Sequence, residues 1–197
     1  MHLAELSDIH STYTARGRLV PLTKGGVPGL QMRDVVAEGS TCLSRLQRFD
    51  LPGLASHHYV RGGEVVFRSR GDSTIAMAIP DDLTEPVAVI MPLLIIRPDR
   101  NRVLPEYLAW AINQPAAQHR LAAEAQGSNL RMIPLSALKD LDIPVPDLAT
   151  QKKIVELDAL ARRESSLLRR LAEQRERLAS ILLAQVATDA RREEIAQ

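Results

Sequence analysis

Cysteine is nearly missing from this chain of 197 residues: Cys42 is the only one. A single thiol excludes an intramolecular disulfide and a cysteine-cluster metal site, and it fits a reducing compartment, so a cytoplasmic location is expected. Aromatic residues are also scarce, at 3%, so the core must be built from Leu, Ile, Val and Ala. No apolar run approaches the roughly 18 residues of a membrane span. The best candidate, Val87 to Ile96, is short and contains Pro92. His2-Leu3-Ala4-Glu5 after Met1 lacks the basic and apolar regions of a signal peptide. A net charge of +1 does not by itself point to a polyanionic partner.

The length suffices for one well-buried core, or for a domain with an appendage. Charge is distributed unevenly: from Arg16 to Arg70 there are nine Lys/Arg against four Asp/Glu (Asp34, Glu38, Asp50, Glu64), with His57-His58 among them. Such a stretch is either a phosphate-binding face or a solvated surface with scattered arginines; charge alone does not decide.

The chain changes character near residue 147. Before it, Gly and Pro interrupt short apolar runs; after it neither occurs, and Ala, Leu, Glu, Gln, Lys and Arg dominate, a helical composition. In the first part, His58-Tyr59-Val60 and Glu64-Val65-Val66-Phe67 read as short strands around Gly62-Gly63. Thr74 to Ile79 and Val87 to Ile96 are β-branched enough to be strands, with a turn at Pro80-Asp81-Asp82. Helices are predicted from Pro105 to Ile112 and from Pro115 to Ala125, each with Pro at its first position, the second stopped by Gly127. Ser136 to Leu141 reads as a short helix capped by Ser136. Ile143-Pro144-Val145-Pro146 must be an extended strap, since Pro disfavours helix in its predecessor and cannot pair inside a sheet.

The expected architecture is therefore an α/β (α+β) globular domain over 1–147 followed by a long helix over 148–197. From Leu148 to about Ala187 that helix would span roughly 60 Å at 1.5 Å per residue. Ile154, Leu157, Ala161, Leu168, Leu171, Leu178 and Leu182 recur at spacings near three and four, a coiled-coil seam. Leu160, Leu167 and Ile181 widen it, while Glu164, Arg175 and Gln185 interrupt it. A helix of this length cannot bury its stripe on its own domain, so a partner helix is expected.

Catalytic signatures are missing. There is no Gly-x-Ser-x-Gly elbow, His-Glu-x-x-His, P-loop or Gly-x-Gly-x-x-Gly. Pro98-Asp99 followed by Glu106 imitates a nuclease arrangement, but Leu108 stands where a lysine belongs. Adjacent His57 and His58 on a strand would point apart, and no metal is expected.

Three stretches resemble the specificity (S) subunits of type I restriction–modification systems. They are Gly62 to Gly71 (GGEVVFRSRG), Leu104 to Asn113 (LPEYLAWAIN), and the passage from Gly127 through Ile133, Leu138, Leu141, Ile143-Pro144-Val145-Pro146 and Leu148 to Gln151 and Ile154. The last is the most specific: short helix, Ile-Pro-x-Pro strap, and a glutamine opening a long helix. At Ser11-Thr12-Tyr13 the chain lacks a glycine often found in the family.

The resemblance implies a half-size form with one target-recognition domain and one helical spacer, and no catalysis of its own. The implied partners are double-stranded DNA, a DNA methyltransferase (M) subunit that holds S-adenosylmethionine, a restriction (R) subunit in some assemblies, and a second copy paired as a homodimer through the helix. No cofactor is expected on this chain. An isologous dimer would read an inverted repeat. The alternative is a protein-interaction adapter of the same fold without DNA readout.

Because Arg and Lys neutralise phosphates while Arg, Gln, Asn and His contact base edges, the DNA-binding candidates begin with Arg16, Arg18, Lys24, Gln31 and Arg33. His57, His58, Arg61, Arg68, Ser69 and Arg70 follow, then Ser128, Asn129 and Arg131 after Gly127. Arg68-Ser69-Arg70-Gly71 is the preferred group, a strand and Gly turn that would present two guanidiniums. Tyr107 and Trp110, on neighbouring turns of one helix, read as core first and stacking platforms second. Gln151 reads as a support for the helix start.

Overall fold

The computed structural model describes residues 1–35, 43–71, 74–127 and 131–195. The first compact unit, Met1–Val155, holds eight strands and three short helices among the described residues; the second is Glu156–Gln197. The strands are β1 (Ser7–His10), β2 (Val27–Leu30), β3 (Arg48–Phe49), β4 (Tyr59–Val60), β5 (Val65–Arg68), β6 (Ile75–Ala78), β7 (Val87–Val89) and β8 (Leu93–Pro98). They form two sheets: an antiparallel one ordered β1-β8-β5-β6 and a mixed one ordered β3-β2-β7-β4, in which β2 and β7 run parallel.

The first sheet is covered on both faces, which explains why its strands read as continuous apolar runs. Val65 and Phe67 of β5 join Leu94 and Ile96 of β8 in a core shared with the helices. Val66, between them in sequence, points the other way with Leu93 and Ile95, against Leu30, Val60, Val87 and Val89 of the second sheet. Tyr13, Phe49, Leu51, Ala88 and Ile90 make a third cluster on the outer side of that sheet.

The run Val87 to Ile96 is not one strand. It breaks at Ile90-Met91-Pro92 into β7 and β8, which belong to different sheets, because Pro92 has no N–H for a ladder. Likewise His58 lies in a short 3-10 turn, Ser56–His58, and only Tyr59 and Val60 extend as a strand. Gly62 is required where it stands, since a Cβ would come within 2.7 Å of the Asp81 backbone oxygen.

The helices follow the proline punctuation. α1 (Pro105–Ile112) and α2 (Pro115–Ala123) each carry Pro at the start. α3 (Leu135–Lys139) begins after Pro134, so Ser136 lies inside it and makes no cap bond. Tyr107 settles as core: it is buried and its hydroxyl donates to the Pro144 carbonyl at 2.7 Å. Burial raises its pKa. Trp110 packs half-buried beside it, ring centroids 5.4 Å apart.

The long helix α4 spans Leu148–Ile195. Asp147 caps it, its carboxylate accepting from the Thr150 N–H at 3.0 Å and the Thr150 hydroxyl at 2.7 Å. Those bonds hold the Asp147 carboxyl below its ordinary pKa. Gln151 is fully buried: its Oε1 accepts from the Leu104 N–H at 2.8 Å, and its Nε2 donates to the carbonyls of Arg102 at 2.9 Å and Pro146 at 2.8 Å. The strap is fixed from its other side by the chain start, with Ile143 N–H donating to the Met1 carbonyl at 2.8 Å.

Ile154 must be removed from the partner-facing seam. It packs half-buried with Val155 against the core of its own domain. From Leu157 onward the stripe is exposed, Leu157, Leu168, Leu171, Leu178 and Leu182 at 49–67%, and Ala161 with them. No helix among the described residues is long and apolar enough to cross a membrane.

Gln151→Met keeps the volume of this side chain but strands one buried N–H and two carbonyls. Unsatisfied buried groups cost about 1–3 kcal/mol each, less where water relaxes in, so a loss of about 2–5 kcal/mol is expected. Thermal unfolding should show Tm lower by roughly 5–15 °C; an unchanged Tm would refute the anchoring role.

Candidate nucleic-acid interface

The turn between β7 and β8 gathers three loops. Tyr13 N–H donates to the Val89 carbonyl at 3.0 Å, Met91 N–H to the Tyr13 carbonyl at 2.9 Å, and the buried Thr12 hydroxyl to the Leu93 carbonyl at 2.5 Å. The second loop arrives through Ser69, whose hydroxyl donates to the Pro92 carbonyl at 2.8 Å. The third attaches to the second: Ile133 N–H donates to the Ser69 carbonyl at 2.8 Å, and Gly71 N–H to the Arg131 carbonyl at 3.1 Å. Segments distant in sequence, after β1, after β5 and after α2, thus converge on Met91-Pro92-Leu93.

Two groups of candidates sit on these loops. Arg16, Arg18 and His58 line an open cleft of about 830 Å³ with Ser11 to Thr14, Asp50 and Pro52-Gly53. Arg68, Arg70 and Arg131 sit where the second and third loops meet. Arg68 folds back over its own loop, Nε donating to the Arg70 carbonyl at 3.2 Å, and Gly71 makes room: a Cβ there would lie 2.8 Å from the Arg68 guanidinium, and its φ is +110°. Arg70 and Arg131 are exposed. Ser69 is a correction: at 5% exposure, with its hydroxyl on Pro92, it shapes the loop and is not free to read bases.

The remaining candidates do not join these groups. Arg61 stands before β5, at the opposite end of that strand from Arg68. Lys24 is exposed beside Gly25 and Gly26, whose carbonyls hold Arg48. Gln31 caps the 3-10 turn Met32–Asp34, and Arg33 donates to Gln47. His57 is exposed, but its carbonyl is taken by Arg97 at 3.2 Å. Ser128 and Asn129 lie outside the described residues.

Electrostatics separates the arginines. Arg48 pairs with Glu85 at 2.7 Å, Arg97 with Glu64 at 2.8 Å and Arg100 with Asp81 at 2.8 Å. Arg16, Arg18, Arg70 and Arg131 have no ion-pair partner among the described residues. Exposed guanidiniums without carboxylates fit phosphate contact; paired ones fit structure. Sequence reading missed Asp50 as a cleft wall and Thr12 and Arg97 as loop anchors, since only the folded neighbours assign those roles.

His58 stands edge-on to Tyr13 (centroids 6.1 Å) and to His57 (4.1 Å), and its buried Nδ1 has no hydrogen-bond partner among the described residues. Desolvation, and secondarily the charge of His57, lowers its pKa. Among the described residues no group of three His, Cys, Asp or Glu could hold a metal ion.

This arrangement defines a class: a two-sheet α/β domain with a helical layer, followed by a long helix. Solved structures share that fold. The S subunit of a type I restriction–modification system from M. genitalium matches with a TM-score of 0.54 at 13% identity, over 81% of this chain and 37% of that one. A chain solved for complex assembly and conformational transition of a type I R-M system matches at 0.60 and 20% identity, over 88% and 40%. The HsdS subunit from Thermoanaerobacter tengcongensis matches at 0.60 and 19% identity, over 88% and 44%. Among curated proteins, the type I restriction enzyme HindI specificity subunit of Haemophilus influenzae is 27% identical over 110 residues, 55% of this chain. The chain spans about a quarter (24%) of the length of that relative. No family model matches.

A histidine with a lowered folded pKa binds fewer protons folded than unfolded, so its contribution to stability is intact above the ordinary value of 6.5 and declines as pH falls below it. NMR titration should place the His58 midpoint below 6.5, and His58→Phe should flatten the stability loss in that window. A midpoint above 6.5 would contradict the desolvated setting.

Proposed function

We propose that this chain is a sequence-specific DNA-recognition module of a type I restriction–modification system, non-catalytic and acting in the cytoplasm. The observation that carries the reading is a set of arginines without an ion-pair partner among the described residues, Arg16, Arg18, Arg70 and Arg131, on loops drawn to one turn of a specificity-subunit fold. The likeness to the HindI specificity subunit supports it. The mechanism is positioning. The domain holds a DNA half-site through phosphates and base edges, and α4 sets the distance to the second half. An M subunit carrying S-adenosylmethionine docks on the complex and flips out and methylates an adenine; an R subunit joins where cleavage accompanies methylation.

The exposed leucine stripe supports pairing of α4 with a second copy. Leu171→Glu with Leu178→Glu should turn the dimer into a monomer on light scattering while the domain stays folded. A persistent dimer would exclude the seam.

Methylome sequencing of the host with and without the gene tests the whole reading: methylation should vanish from one interrupted, inverted-repeat motif. An asymmetric motif would keep the specificity role but reject self-pairing. With an active methyltransferase and no motif lost, the adapter reading replaces this one. In binding assays, each of Arg16→Ala, Arg18→Ala, Arg70→Ala and Arg131→Ala that removes a phosphate contact should make the negative slope of log K against log salt shallower by about 0.9. Four unchanged slopes would place DNA elsewhere.

A further inference from the structure

The turn that sets His58 in the cleft wall has few bonds of its own. The turn Ser56–His58 has no side-chain cap, its closing bonds are His58 N–H to the Ala55 carbonyl at 3.0 Å and Tyr59 N–H to the Ser56 carbonyl, and β4 after it is two residues long. Beyond the pairing of β4 with β7 in its own sheet, the segment is tied to the first sheet through a side chain. Arg97, near the end of β8, lies two residues beyond Ile95 and so on the face turned toward the second sheet. Its Nε donates to Glu64 Oε1 at 2.8 Å, and its Nη2 donates to the carbonyls of both His57 and Tyr59 at 3.2 Å. The second Glu64 oxygen accepts from the Arg61 N–H at 3.0 Å, closing the turn that leads into β5. The side chains of Arg97 and Glu64 are 28% and 13% exposed, so solvent screens this pair less than a surface bridge.

We propose that Arg97, locked by Glu64, is a positioning residue that holds the backbone on either side of His58, fixes that wall of the cleft and thereby sets which DNA sequences the cleft accepts. The proposal rests on the DNA-recognition reading and deepens it: Arg16, Arg18, Arg70 and Arg131 supply contact common to all sequences, while the geometry of this wall supplies discrimination. The planar fork reaches the carboxylate through Nε and both carbonyls through Nη2, a spread of donors that a single ammonium nitrogen does not offer. A lysine keeps the charge and loses that reach.

The test uses the full chain assembled with its methyltransferase and a random-sequence duplex DNA library, selected and sequenced. Arg97→Lys, Arg97→Gln, His58→Ala and the His58→Ala/Arg97→Gln double variant are compared, with thermal unfolding as a control for folding. Enrichment of the motif selected by the wild type should fall at least tenfold in both Arg97 variants. Affinity for bulk duplex, and its salt slope, should fall far less. The double variant should enrich no less than His58→Ala alone, because both changes act on the same wall. Unchanged enrichment in Arg97→Lys and Arg97→Gln overturns the proposal, as do losses from His58 and Arg97 that multiply. Should Arg97→Gln unfold, Arg97→Lys and Glu64→Gln carry the same comparison. If the wild type enriches no motif, the DNA-recognition reading itself falls, and this proposal with it.

Discussion

Everything at the junction of this protein depends on one buried amide. Gln151 sits in the first turns of α4 yet spends its hydrogen bonds on the domain: the N–H of Leu104 before α1, the carbonyl of Arg102, and the carbonyl of Pro146 in the strap. A fully buried glutamine must satisfy both ends of its amide or cost stability. Here satisfying them fixes where α4 starts and how the strap approaches it. The strap is held again by Tyr107 at Pro144 and by Met1 at Ile143. The start of α4 is therefore fixed on the domain.

The same logic operates at the other end of the domain. The first sheet is buried on both faces, so its strands leave only their ends and loops for function. Those loops are bound through backbone and hydroxyl groups to Met91-Pro92-Leu93, where a strand of one sheet becomes a strand of the other. Thr12 and Ser69 are small polar residues placed where a carbonyl needs a donor. Their burial satisfies the turn and leaves the arginines beside them to solvent.

Charge in this molecule is sorted by partner, not by position in the chain. Arg48, Arg97 and Arg100 each face a carboxylate and serve the fold. Among the described residues Arg16, Arg18, Arg70 and Arg131 face none. A formal charge of +1 is thus consistent with local electropositive loops, since most acidic residues lie outside the basic stretch from Arg16 to Arg70. The composition reported the total; the fold reports which cations remain available.

The sequence by itself determined the helices, the strap and the change of character near residue 147. Those features follow from local chemistry: Pro105 and Pro115 preset the backbone of a first helical turn, and the absence of Gly and Pro after Pro146 permits a long helix. It also carried the resemblance that pointed to the fold. Only the tertiary structure decided that Val87 to Ile96 is two strands in two sheets, that Ile154 belongs to the domain core and not to the seam, and that Ser69 is buried. It alone separated Arg97 from Arg16. The physical reason is common to all of these: pairing, burial and desolvation are set by neighbours tens of residues away, and a run of apolar or cationic residues looks the same whichever partner the fold brings to it.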